Sequence, residues 1–212
     1  MSYINGRRAT SFAGAQAHSP SQASSPSQVA MAAYISQFFA SSQKPISSFT
    51  IEPIDKKTSV IKQIPQDSII GTPIFSVYSS SSKPHLTITR PYERRDVIAT
   101  VTYHSLSSKI EISFHGQHIQ LKRKDMLSSA HSFHDLNVGE LRWKESSNLL
   151  SSGLVLLDKE SRELCRYKKR QGFDVLVSAE GEFLYSILIT GLAAVEYKRR
   201  GDHEWNEVLD WL

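Results

Sequence analysis

The chain is short of several things that would mark a secreted, membrane-spanning or familiar catalytic protein. Its 212 residues include one cysteine, Cys165, so no disulfide can form within it. It also has no Asn-x-Ser/Thr acceptor. Both absences point to a reducing, intracellular compartment, cytoplasmic or peripheral to a membrane. No apolar run reaches the ~18 residues of a transmembrane helix, and the N-terminus has no continuous signal-peptide core. The sequence contains no Gly-x-Ser-x-Gly elbow and no Walker or dinucleotide glycine pattern. It is therefore read as a non-enzyme with no cofactor. The net charge of +4 favours an anionic partner but is low for a nucleic-acid binder, and aromatics for base stacking are sparse. No acidic residue precedes Glu52, and Arg7 and Arg8 sit in Ser- and Ala-rich text. That composition leaves mitochondrial import as a minor alternative to a plain disordered tail.

What is present falls into two parts. Residues 1–66 are rich in Ser, Ala, Gln and Pro, as in "AHSPSQASSPSQ", and are expected to be a largely disordered tail. Within it, "VAMAAYISQFFA" (Val29 to Ala40) has enough apolar residues for a short helix. From residue 67 the pattern becomes period two. "KIEISF" sets Ile110, Ile112 and Phe114 against Glu111 and Ser113. "HIQLK" follows after Gly116-Gln117, a pair suited to a tight hairpin turn. "HLTITR", "DVIATVTY", "GELRWKES", "GLVLLDKES", "RELCRYKK" and "FDVLVS" continue the series. Such spacing predicts a mainly β domain, an antiparallel sandwich or barrel.

The strands give way to "EFLYSILITGLAAVEYKRR", Glu182 to Arg200. Glu180 and Glu182 at its start, Lys198 to Arg200 at its end and Gly201 beyond fit a helix over 182–200 with a glycine stop. Phe183 to Val195 are apolar or small on every face. The run is too short for a membrane span and too uniform for a surface helix. A helix enclosed by a closed sheet remains.

This arrangement resembles the tubby C-terminal-like superfamily, which includes tubby proteins, phospholipid scramblases and plant LURP-one-related proteins. The stretches that carry the likeness are "PHLTITRP", "VIATVTYHSLSSKIEISFHGQHIQLKRKDML", "LRWKES", "GLVLLDKESRELCRYKK" and "GEFLYSILITGLAAVEYKRR". The likeness is strongest to fungal tubby-like domain proteins of unknown function. It implies a closed antiparallel barrel of roughly nine to twelve strands around a C-terminal helix, over 67–200. It also implies a non-enzymatic role: tubby proteins bind phosphatidylinositol bisphosphate on a basic surface. The sequence has no additional C-terminal span, no palmitoylated cysteine cluster and no acidic calcium loop, which departs from the scramblases.

The residues themselves offer few sites. Basic clusters recur, and Lys122, Arg123 and Lys124, with Lys168, Lys169 and Arg170, are the candidates for binding anionic lipid or a phosphoinositide. The competing reading of any one cluster is a solvated strand end. His115 and His118, with His131 and His134, form two His-x-x-His pairs. Four imidazoles can make a zinc site, but the first pair straddles a turn and no cysteine or carboxylate completes the set, so no metal is assigned. Cys165 reads as a small core residue. The tail 201–212, "GDHEWNEVLDWL", is acidic and aromatic. Trp205 and Trp211 make it, with the Val29–Ala40 segment, the docking candidate of an alternative reading as a protein-interaction scaffold.

Overall fold

The computed structural model describes residues 44–65, 67–68, 70–93, 96–104, 107–123, 128–136, 138–146 and 153–209, with side chains through residue 201. The expected helix at Val29–Ala40, Lys124 and Trp211, and the side chain of Trp205, lie outside these residues. Twelve strands form the wall: β1 (Ser47–Pro53), β2 (Thr58–Ile64), β3 (Thr72–Ser79), β4 (Leu86–Thr89), β5 (Val97–Tyr103), β6 (Ile110–Phe114), β7 (Gln117–Arg123), β8 (His131–Asp135), β9 (Gly139–Glu145), β10 (Gly153–Asp158), β11 (Glu163–Lys168) and β12 (Gly172–Val175). One helix, α1 (Gly181–Leu209), follows them.

Each strand pairs antiparallel with its sequence neighbour, and β1 closes the sheet on β12 through Ser47↔Val175 and Phe49↔Phe173. The barrel reading is therefore right. Alternation decides which side chains point in: on β6, Ile110, Ile112 and Phe114 are buried while Glu111 and Ser113 face out. The β6–β7 hairpin turns one residue earlier than the sequence suggested. Phe114 pairs with Gln117, leaving His115 and Gly116 as the two turn residues. Their φ values of 46° and 77° are the left-handed pair that a type I′ hairpin requires.

Two boundaries are corrected. The domain begins at β1, not at residue 67. Phe49 and Ile61 are wholly buried in the same core as the later strands, so residues 47–64 are staves of the wall and not tail. Second, Gly201 does not stop the helix, which runs on to Leu209. A glycine inside a helix costs only about 1 kcal/mol relative to alanine, within what the flanking turns supply.

The helix fills the barrel. Ser186 through Ala194 are all buried, which a helix achieves only when protein surrounds it. Its polar atoms are matched to the wall. Trp143 Nε1–H donates to Thr190 Oγ1 at 3.0 Å, Ser186 Oγ–H donates to Asp135 Oδ2 at 3.1 Å, and Tyr103 O–H donates to the Ala193 carbonyl at 3.1 Å. Gly191 lies where the wall comes closest: a Cβ there would meet Phe173 Cε1 at 2.6 Å and Trp143 Cζ2 at 2.9 Å.

Strand direction divides the loops between two rims. At the lower rim, where α1 enters, lie the turns after the even-numbered strands. At the upper rim, where α1 leaves, lie the turns after the odd-numbered ones. Contacts of the helix agree: His115 at the lower rim reaches Glu182, and Glu145 at the upper rim reaches Lys198.

Candidate functional site: a basic upper rim

Both proposed lipid-binding clusters end odd-numbered strands, so both fall on the upper rim. Lys122 is exposed at the end of β7, while Arg123 turns inward, its guanidinium 5.5 Å from the centre of the Tyr197 ring. On the β11–β12 turn, Lys169 and Arg170 are exposed, and Arg170 holds a φ of 69° that tightens the turn. Lys168 differs, because its ammonium is 2.9 Å from Asp174 Oδ2. The structure thus brings Lys122, Arg123, Lys168, Lys169 and Arg170 to one end of the barrel.

The end of the helix adds to the same rim. Lys198 pairs with Glu145 at 2.9 Å, and Arg199 and Arg200 share Glu196. Arg200 also donates to the Ser80 carbonyl at 2.8 Å and lies 5.0 Å from the Tyr103 ring centre. Lys198 and Arg200 fasten the helix to the wall, whereas Arg199 is paired within the helix by Glu196.

Sequence reasoning missed Lys56 and Lys57 because it assigned them to the tail. They occupy the β1–β2 turn, where Asp55 Oδ1 accepts the backbone N–H groups of Lys57 and Thr58 at 2.7 and 2.8 Å. This aspartate-capped turn holds both lysines outward. They border an open groove of about 750 Å³ that Thr58, Tyr78, Ser79 and Thr87 also line. The signal was available in "TIEPIDKKTSVI", two alternating apolar runs flanking a turn. Among the described residues, Lys56, Lys57, Lys122, Lys169 and Arg170 take no part in the ion pairs, so their charge faces solvent.

The four histidines do not converge. His115 sits in the lower-rim turn, 3.5 Å from Glu182, and His118 and His134 are exposed. His131 is buried at the opposite end, its ring 5.0 Å from that of Tyr197. Burial, reinforced by the Arg123 cation, lowers its pKa to about 4. Among the described residues no three His, Cys, Asp or Glu side chains are grouped to hold a metal. Cys165 is buried in the core as expected, and burial pushes its thiol well above the usual range. No helix among the described residues is long and apolar enough to cross a membrane.

Comparison with known proteins gives a family and no function. No curated protein and no solved structure matches the chain. A family model does, over residues 56–201, which is more than two thirds of the sequence and takes in β2 through β12 with the enclosed part of α1. The chain belongs to this family, DUF6593, a family of unknown function.

Proposed function

We propose that this domain is a non-enzymatic module that binds anionic membrane peripherally, standing on its upper rim. The observation that carries the reading is the gathering of Lys56, Lys57, Lys122, Lys169 and Arg170, free of ion pairs, at one end of a rigid barrel. Each cation held near an anionic surface contributes about 1 kcal/mol, so a single cluster binds marginally and several on one rim bind usefully. The charges need no desolvation, because they project from turns and, for Lys122, from the exposed face at the end of β7. At the lower rim, among the described residues, the exposed Asp67, Glu93, Glu140 and Glu180 lie outside the ion pairs and outnumber the exposed Lys44, which favours an end-on orientation with the upper rim toward the membrane. Resemblance to the tubby C-terminal-like superfamily, whose tubby members bind a phosphoinositide on a basic surface, supports the reading.

The test is flotation with vesicles of phosphatidylcholine alone, or with added phosphatidylserine or a phosphoinositide. The wild-type chain is compared with a triple Lys122→Gln, Lys169→Gln, Arg170→Gln variant. These exposed positions leave the core untouched. Loss of three cations is expected to weaken binding to phosphatidylserine vesicles roughly a hundredfold. Rising salt is expected to weaken wild-type binding. Equal flotation of both proteins, or none by either on any anionic vesicle at low salt, would defeat the proposal. A preference for phosphoinositide over phosphatidylserine at equal charge would narrow the ligand to the headgroup.

A further inference from the structure

Among the described residues, the upper rim carries more cations than its acids can pair. Lys56 and Lys57 on the β1–β2 turn, Lys83 on the β3–β4 turn, Lys122 at the end of β7, and Lys169 and Arg170 on the β11–β12 turn are exposed and outside the ion pairs. Asp55 is engaged in capping its own turn, and Glu145 is paired with Lys198. In the ring of twelve strands β7 stands six places from β1, so these cations surround the mouth of the barrel. The helix leaves through the middle of that ring. Lys198 reaches Glu145 at the end of β9, and Arg200 donates to the Ser80 carbonyl just after β3. β3 and β9 are also six places apart, so α1 is held from both sides of the mouth. Beyond Arg200 the chain has no Lys or Arg. Asp202, Glu204 and Glu207 lie on the continuation of α1 to Leu209, and Asp210 follows. At 1.5 Å per residue these acids start about 3 Å and end about 15 Å beyond Arg200 along the chain's helical path.

We propose that the acidic extension of α1 is a built-in competitor for the basic rim: it balances the rim's cations in the free protein and yields them to an anionic surface. The inference rests on the membrane-binding reading and concerns the regulation of that same rim. Three features select this role. The acids are tethered at the centre of the cations, so their effective concentration there is high whatever the concentration of the protein. They stand at the C-terminal end of a helix, where the dipole disfavours negative charge and the last turn has no basic residue. The rim, and not the helix, is therefore what balances them. Finally, each pairing of exposed charges is weak and screened by salt, so the contact is reversible. A surface dense in anionic lipid offers more charges than the four acids and displaces them together.

The test has two arms, both on the full chain. In the first, a carbodiimide joins carboxylates to amines in direct contact, and the products are mapped by mass spectrometry. The Lys198–Glu145 pair, at 2.9 Å, is the internal control. Cross-links from Asp202, Glu204, Glu207 or Asp210 to Lys56, Lys57, Lys83, Lys122 or Lys169 are expected within single chains, and phosphatidylserine vesicles added beforehand should suppress them. In the second arm, flotation on phosphatidylserine vesicles compares the wild type with two quadruple variants of equal net charge. One neutralises the extension by Asp202→Asn, Glu204→Gln, Glu207→Gln and Asp210→Asn. The other neutralises the exposed lower-rim acids by Asp67→Asn, Glu93→Gln, Glu140→Gln and Glu180→Gln. The first should bind at least tenfold more tightly than the wild type, and the second should gain much less. Equal gains by the two variants would reduce the effect to net charge and overturn the inference. So would the control cross-link without any from the extension to the rim, or cross-links found only between chains. Flotation by none of the three proteins defeats membrane binding itself, whereas flotation without cross-links defeats only the competitor.

Discussion

Trp143 Nε1–H donates to Thr190 Oγ1 at 3.0 Å, and both residues are essentially inaccessible to water. The indole belongs to β9 and the hydroxyl to α1, so this one bond ties wall to axle. Thr190 in turn donates to the Ser186 carbonyl at 2.7 Å, which fixes the rotamer that receives the indole. Thr190→Val keeps the shape and removes the acceptor, leaving a buried N–H unpaired. The expected loss is about 1–3 kcal/mol, read as a lower urea midpoint with an unchanged slope.

Gly191→Ala is expected to destabilise even though alanine is the better helix former. Propensity favours the change by about 1 kcal/mol. Against it, the new methyl would sit 2.6 Å from Phe173 Cε1 and 2.9 Å from Trp143 Cζ2, two rings held by the wall. Overpacking of a tight core costs about 1–3 kcal/mol. A melting temperature equal to or above that of the wild type would show that the rings yield.

Leu188 is wholly buried within the barrel. Leu188→Asp places a charge there with no partner, at a cost of several kcal/mol against a typical total of about 5–15. Loss of the cooperative thermal transition is expected.

Phe49→Ala tests where the domain begins. Phe49 is 1% exposed and pairs across the closing seam with Phe173. Truncating a buried phenylalanine costs about 3–5 kcal/mol. A change below about 0.5 kcal/mol, the range of ordinary surface substitutions, would place β1 outside the folded unit.

Acid should weaken the fold in two stages. His131 ordinarily titrates near 6.5, and its buried site lowers this to about 4. The unfolded chain therefore takes up this proton first as pH falls. The His131 contribution is complete above about pH 6.5 and is lost between there and about pH 4, at roughly 2–4 kcal/mol. Glu111 follows. Its bonds to Lys109 and His104 lower its pKa from 4.5 to about 2, so its contribution fades below about pH 4.5. Urea titrations from pH 7 to pH 3 should show both stages. His131→Gln should flatten the first while leaving the second.

Much of the fold was legible because burial leaves a period in the sequence. Ile110, Ile112 and Phe114 alternate with polar residues, and Ser186 to Ala194 have no polar face because nothing around them is water. The first two strands were obscured: Phe49, Ile51, Val60 and Ile61 alternate or pair within text otherwise rich in Ser, Lys and Pro. Composition averaged over residues 1–66 hid them. The candidate site was legible only as separate clusters. Whether Lys122 and Lys169 share an end depends on the parity of the strands between them, and parity cannot be read from an estimate of nine to twelve. The aspartate-capped turn at Asp55 is written locally in "PIDKKT", but its place beside Lys122 and Lys169 comes from turns far apart in sequence, so no local pattern announces the shared rim.

The position of the helix orders events during synthesis. Its residues leave the ribosome after every strand, yet they occupy the centre around which those strands close. Until Ser186 to Ala194 have emerged, the inward faces of all twelve strands have nothing to pack on, and β1 must wait for β12 to close the seam. Pairings across such sequence distances form slowly because the chain between them must first be confined. A nascent chain stalled before residue 186 therefore exposes apolar strand faces and unpaired strand edges, the features that chaperones and proteases recognise. Emergence of residues 186–194 is itself the trigger for folding, and a chain stalled short of them lacks its own core.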